Sequence, residues 1–282
     1  YMSDNNPVST NIIAPPKVYF ICGGRRTGTT LLSAILCSDK RANPLGQECQ
    51  LLTRMLEAYQ WGVEKFDDFG RSFFESSSDY KTFYKKVVTD FTHTVAEKMS
   101  PGGVLILKNP ELSKVIMAVD SLFPDATLLA TVRDPRDQVA AELEVGKKRV
   151  GMGMKPPGYT QRNIRLLSER YSGFLRGILA IQENNPERIC IVRYEDMVLD
   201  TLSVIKRLRI ATNLDIDFDP NKPWPKVSRY AGLKSISPTS SKLYGGAVEN
   251  SSVGRYKNDL NQEEISTIED NCQRIMTLFN YK

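Results

Sequence analysis

The sequence predicts an α/β fold in which a parallel β-sheet is covered by helices on both faces, giving three layers. Short apolar segments recur along the chain, a helical pattern separates each from the next, and glycine or proline bounds most of them. Strands that alternate with helices pair in parallel, and such sheets bind ligands at the carboxyl ends of their strands. No linker or repeat divides the chain, so we expect one domain over residues 1–282, with residues 1–15 flexible.

The composition is that of an ordinary soluble globular protein. Of 282 residues, 41% are hydrophobic and 25% are charged. No run of about 18 apolar residues predicts a membrane span, and the N-terminal stretch lacks the basic and apolar segments of a secretory signal. The five cysteines form no C-x-x-C pair. Together these features predict a reduced, cytoplasmic protein without a structural zinc site.

The net charge of +5 is modest for this length, and no nucleic-acid recognition motif is present. A few lysines and arginines gathered around a small polyanionic ligand would account for the charge. We therefore expect no nucleic-acid partner.

The first half of the chain begins with a strand that leads into a helix. Val18–Cys22 is the strand and Thr29–Cys37 is the helix. Residues 51–98 carry mainly helical patterning with many aromatic side chains. The next strand is Val104–Lys108, which is short, apolar and bounded by turn residues, as a buried parallel strand should be.

The second half continues the alternation of helices and strands. A helix from about Glu111 to Phe123 precedes a strand at Ala126–Val132, and Pro135 begins the next helix, where proline is favoured. A later strand, Arg188–Met197, has Tyr194 near its carboxyl end. The remaining segments are a glycine- and proline-rich loop at 151–158, helices at 159–183 and 200–211, an irregular stretch at 213–253, and a closing helix, Gln262–Phe279.

The turn "CGGRRTGTT" after the first strand has the layout of a loop that cradles phosphate. Gly23 and Gly28 have the G-x-x-x-x-G spacing of a Walker A loop, but Thr29 stands where the lysine belongs. A tight turn that uses glycine only for backbone freedom is the simpler alternative. Arg26 can supply the missing charge, and a guanidinium suits the oxygens of phosphate or sulfate. Metal-independent transfer of a charged group is thus more natural here than ATP hydrolysis.

Four motifs in order resemble the sulfotransferases that use 3′-phosphoadenosine 5′-phosphosulfate (PAPS) as donor. They are "GGRRTGTTLLSAIL", "LKNPEL", "LFPDATLLATVRDPRDQVAAEL" and "VRYEDM". The resemblance covers most of the chain from about Val18 to the C-terminal helix. It implies a P-loop-like sulfotransferase fold, PAPS as donor, 3′-phosphoadenosine 5′-phosphate (PAP) as product and no required metal.

The resemblance also implies which residues bind the donor. By this resemblance, the 5′-phosphosulfate is bound by the loop residues Arg25, Arg26, Thr27, Gly28, Thr29 and Thr30. Arg133 matches the strand-ending arginine that binds the 3′-phosphate, and Tyr194 matches a residue that contacts the nucleoside. The loop that closes over the 3′-phosphate corresponds to Gly254, Arg255 and Lys257.

One position departs from the family pattern. A serine eight residues after the strand-ending arginine normally shares the 3′-phosphate, but this chain has Ala141 there. Either the helix is displaced in register or fewer groups hold the phosphate, with Arg136 as a candidate substitute.

The resemblance implies a base, a cation and a helper for the leaving group. Glu48, in "PLGQECQ", matches the carboxylate base of tyrosylprotein sulfotransferases, and such a base needs partial burial. Lys108 closes a buried strand and matches the lysine that stabilises the leaving phosphate, together with Arg26. An alignment without gaps matches Ser240 to the family's serine that assists the leaving group. Three nearby serines leave this alignment open: Ser235, Ser237 and Ser241.

The leading hypothesis is transfer of a sulfuryl group from PAPS to a hydroxyl or amine of a small molecule, glycan or peptide. Two alternatives remain: an ATP-dependent P-loop kinase and a non-catalytic nucleotide-binding protein of the same fold. The absence of the Walker lysine argues against the kinase. Residues 55–100 and 145–160 are expected to line the acceptor cleft, with aromatic side chains Tyr59, Trp61, Phe66 and Phe69. A homodimer is left open.

Overall fold

Four parallel strands form the central sheet in the computed structural model, which describes residues 15–100, 102–155, 161–222 and 246–282. The strands are β1 (Lys17–Gly23), β2 (Val104–Lys108), β3 (Thr127–Val132) and β4 (Ile189–Arg193). Their order across the sheet is β2-β1-β3-β4, and every neighbouring pair is parallel. The predicted α/β class with a parallel sheet is confirmed.

The strand after Arg188 is shorter than the sequence pattern predicts. β4 ends at Arg193, and Tyr194 is the first residue of a helix that extends to Leu199. The prediction of a strand as far as Met197 is therefore wrong. Met197 is fully buried because it lies on the helix face that packs against the sheet.

Helices connect the strands on both sides of the sheet. In chain order they are α1 (Thr29–Leu36), α2 (Gln50–Glu64), α3 (Ser77–Met99), α4 (Ile116–Leu122), α5 (Pro135–Gly151), α6 (Ile164–Asn184), α7 (Tyr194–Leu199), α8 (Thr201–Thr212), α9 (Tyr256–Asp259), α10 (Gln262–Asn271) and α11 (Gln273–Leu278). A π-helical turn, Phe66–Gly70, joins α2 to the segment before α3.

Three predicted helices differ from the observed ones at their ends. The helix expected from Glu111 starts as a 3₁₀ turn, Pro110–Val115, and becomes α-helical only at Ile116. The helix expected from residue 159 begins at Ile164, where the Asn163 side chain caps it. The closing helix is interrupted at Cys272, so that α10 and α11 are separate.

Two apolar clusters, one on each face of the sheet, form the core. Phe20 and Leu128 point to the cluster shared with α2–α6, whereas Tyr19, Ile21 and Leu129 point to the cluster shared with α1, α7 and α8. Successive side chains of a strand alternate between faces, so each strand contributes to both clusters. The three layers predicted from the sequence are confirmed. Within the described residues, none of the helices is both long enough and apolar enough to span a membrane.

Candidate active site

The loop between β1 and α1 turns sharply at three residues. Gly23, Arg26 and Gly28 have φ angles of 136°, 63° and 91°, in the region that favours glycine. A Cβ at Gly28 would come within 2.7 Å of the Tyr194 ring. Because α1 begins at Thr29, the loop directs the backbone N–H groups of the first helical turn toward the carboxyl edge of the sheet, where an anion is favoured.

Side chains from neighbouring elements fix the shape of this loop. The Ser113 hydroxyl accepts a 2.7 Å hydrogen bond from the Gly23 amide. Thr27 is fully buried, and its hydroxyl bonds to the Gly24 carbonyl and to the Thr131 hydroxyl, both at 2.6 Å. The Thr27 side chain thus ties the loop to β3, and its hydroxyl is engaged within the protein.

The two loop arginines have different surroundings. The Arg25 guanidinium pairs with Glu111 at 2.6 Å. The Arg26 Nε atom is buried and has no hydrogen-bond partner among the described residues. Burial lowers the pKa of the Arg26 guanidinium, while the carboxylate of Glu142 opposes that shift. Arg26 is therefore the loop cation with an unsatisfied donor.

Lys108 and Glu48 meet at the end of β2. The Lys108 ammonium donates a 3.2 Å hydrogen bond to a Glu48 carboxylate oxygen. The Lys108 side chain is 8% exposed, and that of Glu48 is 49% exposed. The Cys49 amide also donates to the Lys108 carbonyl at 3.0 Å, which holds the Glu48 segment against the strand. The structure thus brings the predicted base and the predicted cation into direct contact.

Arg133 follows β3 and connects two segments of the site. Its guanidinium donates to the Arg26 carbonyl at 3.1 Å and to the Ser252 carbonyl at 2.6 Å. The group lies over the Tyr194 ring, 4.3 Å from its centroid. Its Nε atom is buried and has no hydrogen-bond partner within the described parts of the chain.

The segment before α9 closes against these residues. The Tyr194 and Ser252 hydroxyls are 2.6 Å apart, and the Asp137 carboxylate accepts from the amides of Gly254 and Tyr256 at 2.7 and 3.0 Å. Gly254 has a φ of 73°. Two neighbouring predicted residues point elsewhere, since Arg255 pairs with Glu144 and Asp259, and Lys257 is exposed.

Arg136, the candidate substitute at the 3′-phosphate, bonds to groups of the protein. Its guanidinium pairs with Asp134 at 2.7 Å and with Glu269 at 2.8 Å, and it also donates to the Lys282 carbonyl at 2.6 Å. These contacts tie the start of α5 to the C-terminal helices. Ala141 is 3% exposed on the same helix.

Two buried polar residues on α5 were missed by sequence reasoning. Gln138 and Glu142, one helical turn apart, are 3% and 4% exposed. The Gln138 amide donates to the Arg25 carbonyl at 2.9 Å. Burial raises the pKa of Glu142, and the charges of Arg25 and Arg26 oppose the rise. The i, i+4 spacing of two polar residues in an otherwise apolar helix stretch was the available signal.

Other predicted residues lie away from the site or outside the described chain. Tyr59 and Phe66, two of the aromatic residues expected at the acceptor cleft, are buried in the core cluster. Trp61 and Phe69 are more than half exposed, with ring centroids 5.7 Å apart. Ser240 and its neighbouring serines lie outside the described residues, as do residues 1–14 of the segment 1–15 that is predicted to be flexible.

The arrangement fits an anionic ligand with several charged groups. In the part of the chain that the structure describes, the buried Nε atoms of Arg26 and Arg133 have no acceptor, and an unsatisfied buried donor costs about 1–3 kcal/mol. Phosphate or sulfate oxygens would supply those acceptors. Lys108 is the last residue of β2, the loop follows β1, and Arg133 follows β3. Because these three strands are adjacent and parallel, their polar groups lie along one edge of the sheet.

The known proteins that resemble this chain include several sulfotransferases. A family model described as "Sulfotransferase family" matches residues 19–220. The chain is 25% identical over 247 residues to the ω-hydroxy-β-dihydromenaquinone-9 sulfotransferase Stf3 of Mycobacterium bovis, and equally to that of Mycobacterium tuberculosis. These matches cover 71% of this chain and 63% of each relative, so the chain spans less than two thirds of their length.

Solved structures share the fold. The sulfotransferase domain from the curacin biosynthetic pathway matches with a TM-score of 0.60 and 17% identity, over 95% of this chain and 98% of that domain. Sulfotransferase STF9 from Mycobacterium avium matches with a TM-score of 0.52 and 16% identity, over 95% of this chain and 78% of that one.

Proposed function

The chain belongs to the sulfotransferase family, and we propose that it transfers a sulfuryl group from PAPS to a hydroxyl or amine of an acceptor. One observation carries the proposal: Arg26 and Arg133 each have a buried Nε atom beside a phosphate-type loop, and neither atom has a hydrogen-bond partner among the described residues. A donor with a phosphosulfate at one end and a second phosphate at the other offers acceptors for both.

Different residues at the sheet edge would bind different parts of the donor. The loop from Arg25 to Thr30 would bind the phosphosulfate through backbone N–H groups and the Arg26 guanidinium. Arg133 and the segment around Gly254 would bind the 3′-phosphate, and Tyr194 would contact the nucleoside. Because carboxylates engage both side chains, we assign Arg255 to holding the Gly254 segment against α5, and Arg136 to holding the start of α5 against the C-terminal helices.

Glu48 would act as the general base, and Lys108 would stabilise the leaving group. PAPS supplies the sulfuryl group, which passes to the acceptor oxygen or nitrogen as the bond from sulfur to the bridging phosphate oxygen breaks. Glu48 takes the acceptor proton, and its 49% exposed side chain is open to an acceptor. Lys108 stabilises the negative charge that develops on the departing phosphate oxygen.

The acceptor we propose is a small molecule with a hydroxyl group. The mycobacterial relatives are sulfotransferases of an ω-hydroxylated dihydromenaquinone, which has such a group. At 25% identity we carry over the acceptor chemistry and not the particular quinone. Glycan hydroxyls and peptide tyrosines remain within the same chemistry.

The experiment is a comparison of ligands by thermal unfolding. A ligand that binds only the native state at about 100 times its Kd stabilises the fold by about 2.7 kcal/mol. We expect PAP to raise the Tm, with or without Mg²⁺, and ATP with Mg²⁺ to raise it much less. A larger shift with ATP and Mg²⁺ would refute the proposal and favour a kinase.

A further inference from the structure

Ser252 and Arg133 meet at the position where the donor's 3′-phosphate would bind. Arg133 uses one Nη atom for the Ser252 carbonyl, at 2.6 Å, and the Tyr194 ring packs beneath the same guanidinium. The Ser252 side chain turns toward Tyr194, so its hydroxyl, the Arg133 guanidinium and the Tyr194 ring form one cluster. The hydroxyl comes from a segment 119 residues from Arg133 in the chain.

The Ser252 hydroxyl retains hydrogen-bonding capacity in this arrangement. A serine hydroxyl has one donor and two acceptor positions, and a tyrosine hydroxyl can donate as well as accept. When Tyr194 donates across the 2.6 Å contact, the Ser252 proton is available to a phosphate oxygen. The buried Arg133 Nε–H is a second donor without a partner within the described residues.

Asp137, which lies beside Arg133, does not accept hydrogen bonds from these donors. Asp137 approaches the Arg133 guanidinium at 4.0 Å, which is beyond hydrogen-bond distance. Its two oxygen atoms accept instead from the Gly254 and Tyr256 amides. Asp137 therefore holds the Ser252 segment in place and leaves the Arg133 Nε–H to a ligand.

We propose that Ser252 donates the hydroxyl hydrogen bond to the donor's 3′-phosphate that the alanine at position 141 cannot provide. This inference rests on the proposed function, because it needs a donor with a 3′-phosphate. It assigns phosphate recognition to a residue outside α5, on the segment that closes over the site. Ser252 is then a determinant of the preference for 3′-phosphorylated nucleotides.

The test compares PAP with adenosine 5′-phosphate, which lacks only the 3′-phosphate. Affinities of both ligands are measured by calorimetry at one salt concentration for the wild type and for Ser252→Ala, Ser252→Val and Ser252→Thr. Valine and threonine have nearly the same shape, so this pair isolates the hydroxyl. Ser251→Ala is the matched control, because Ser251 is an exposed neighbour.

We expect Ser252→Ala and Ser252→Val to weaken PAP binding about 10-fold, which is the contribution of one such hydrogen bond. The affinity for adenosine 5′-phosphate should be unchanged. Ser252→Thr and Ser251→Ala should keep the wild-type ratio of the two affinities. Equal weakening of both ligands, or an unchanged ratio, would overturn the inference, since Ser252 would then only close the segment. A wild type that does not prefer PAP would overturn the proposed function with it.

Discussion

The Tyr171 hydroxyl bonds to both backbone groups of Arg133. It accepts from the Arg133 amide at 2.9 Å and donates to the Arg133 carbonyl at 2.8 Å. Tyr171 lies on α6 and is 1% exposed, and its ring packs so closely on Gly24 that a Cβ there would meet it at 2.4 Å. One side chain thus supports the end of β3 and the start of the phosphate loop.

Tyr171→Phe should destabilise the protein by roughly 2–4 kcal/mol, because two buried backbone groups lose their partner. The free energy of unfolding in urea measures this. Tyr80→Phe is the control: it removes one longer bond, 3.3 Å to the Ala58 carbonyl, in the α2–α3 hairpin. A loss no larger than that of the control would show that the Tyr171 hydroxyl does not support β3.

Local sequence patterns were sufficient to predict where β2 and β3 end, but not which residues hold those ends. Lys108 and Arg133 each follow a short apolar run that reads as a strand, and the order of strands and helices places both at one edge of the sheet. Tyr171 is an ordinary aromatic residue in an amphipathic helix. Its partner is 38 positions away, and only tertiary packing brings the two together.

The same limit applies to the polar residues around the loop. The spacing of Gly23 and Gly28 predicted the turn, because glycine tolerates the φ angles found there. Ser113 and Ser252 belong to polar stretches with several serines or turn residues. Nothing local therefore marks Ser113 as a support of the loop or Ser252 as a candidate ligand. The strand-to-helix change at Tyr194 was missed because aromatic residues such as Tyr194 are enriched in strands, so the residue type there does not mark the end of β4.

Glu48→Gln should reduce the rate of sulfuryl transfer by at least about 100-fold, because the amide cannot accept the acceptor proton. The PAP-induced rise in Tm should stay at its wild-type value. Turnover measured as PAP release, with the thermal shift beside it, checks both expectations.

The control for Glu48 is Glu57→Gln on α2. Glu57 pairs with Arg54 on the same helix. We expect Glu57→Gln to keep wild-type turnover and wild-type PAP binding. Near-normal turnover in Glu48→Gln would remove Glu48 as the base, and loss of the thermal shift would mean that the Glu48–Lys108 pair instead shapes the donor site.

Gln138→Leu should destabilise the protein by about 0.5–1.5 kcal/mol, since the part-buried Arg25 carbonyl loses its 2.9 Å donor. The same substitution should weaken PAP binding, because the loop that carries Arg26 is held less firmly. Urea unfolding and calorimetry measure the two effects. Gln273→Leu, at an exposed position of α11, is the control and should leave PAP affinity unchanged. Unaltered stability and PAP affinity in Gln138→Leu would contradict the role of Gln138 as a support.

Glu144 should make the folded state sensitive to acid. Partial burial acts to raise the pKa of Glu144, but hydrogen bonds from Lys148 and Arg255 outweigh it and lower the pKa from 4.5 to about 2. A carboxyl with a lower pKa in the folded state stabilises the fold above its unfolded value. That stability is present at pH 7 and is lost as the pH falls from about 4.5 toward about 2.

Glu144→Gln tests this dependence through urea unfolding at pH 7 and pH 3. We expect the variant to be less stable than the wild type at pH 7 and closer to it at pH 3, because the wild type loses the Glu144 contribution over that interval. The control is Glu187→Gln, an exposed position in the Pro186–Arg188 turn, which should differ from the wild type equally at both pH values. A gap between Glu144→Gln and the wild type that does not narrow in acid would contradict the ion pair. Since Arg255 bonds to Glu144 and lies one residue after Gly254, weaker PAP binding in Glu144→Gln would show that the pair also holds the segment proposed to bind the 3′-phosphate.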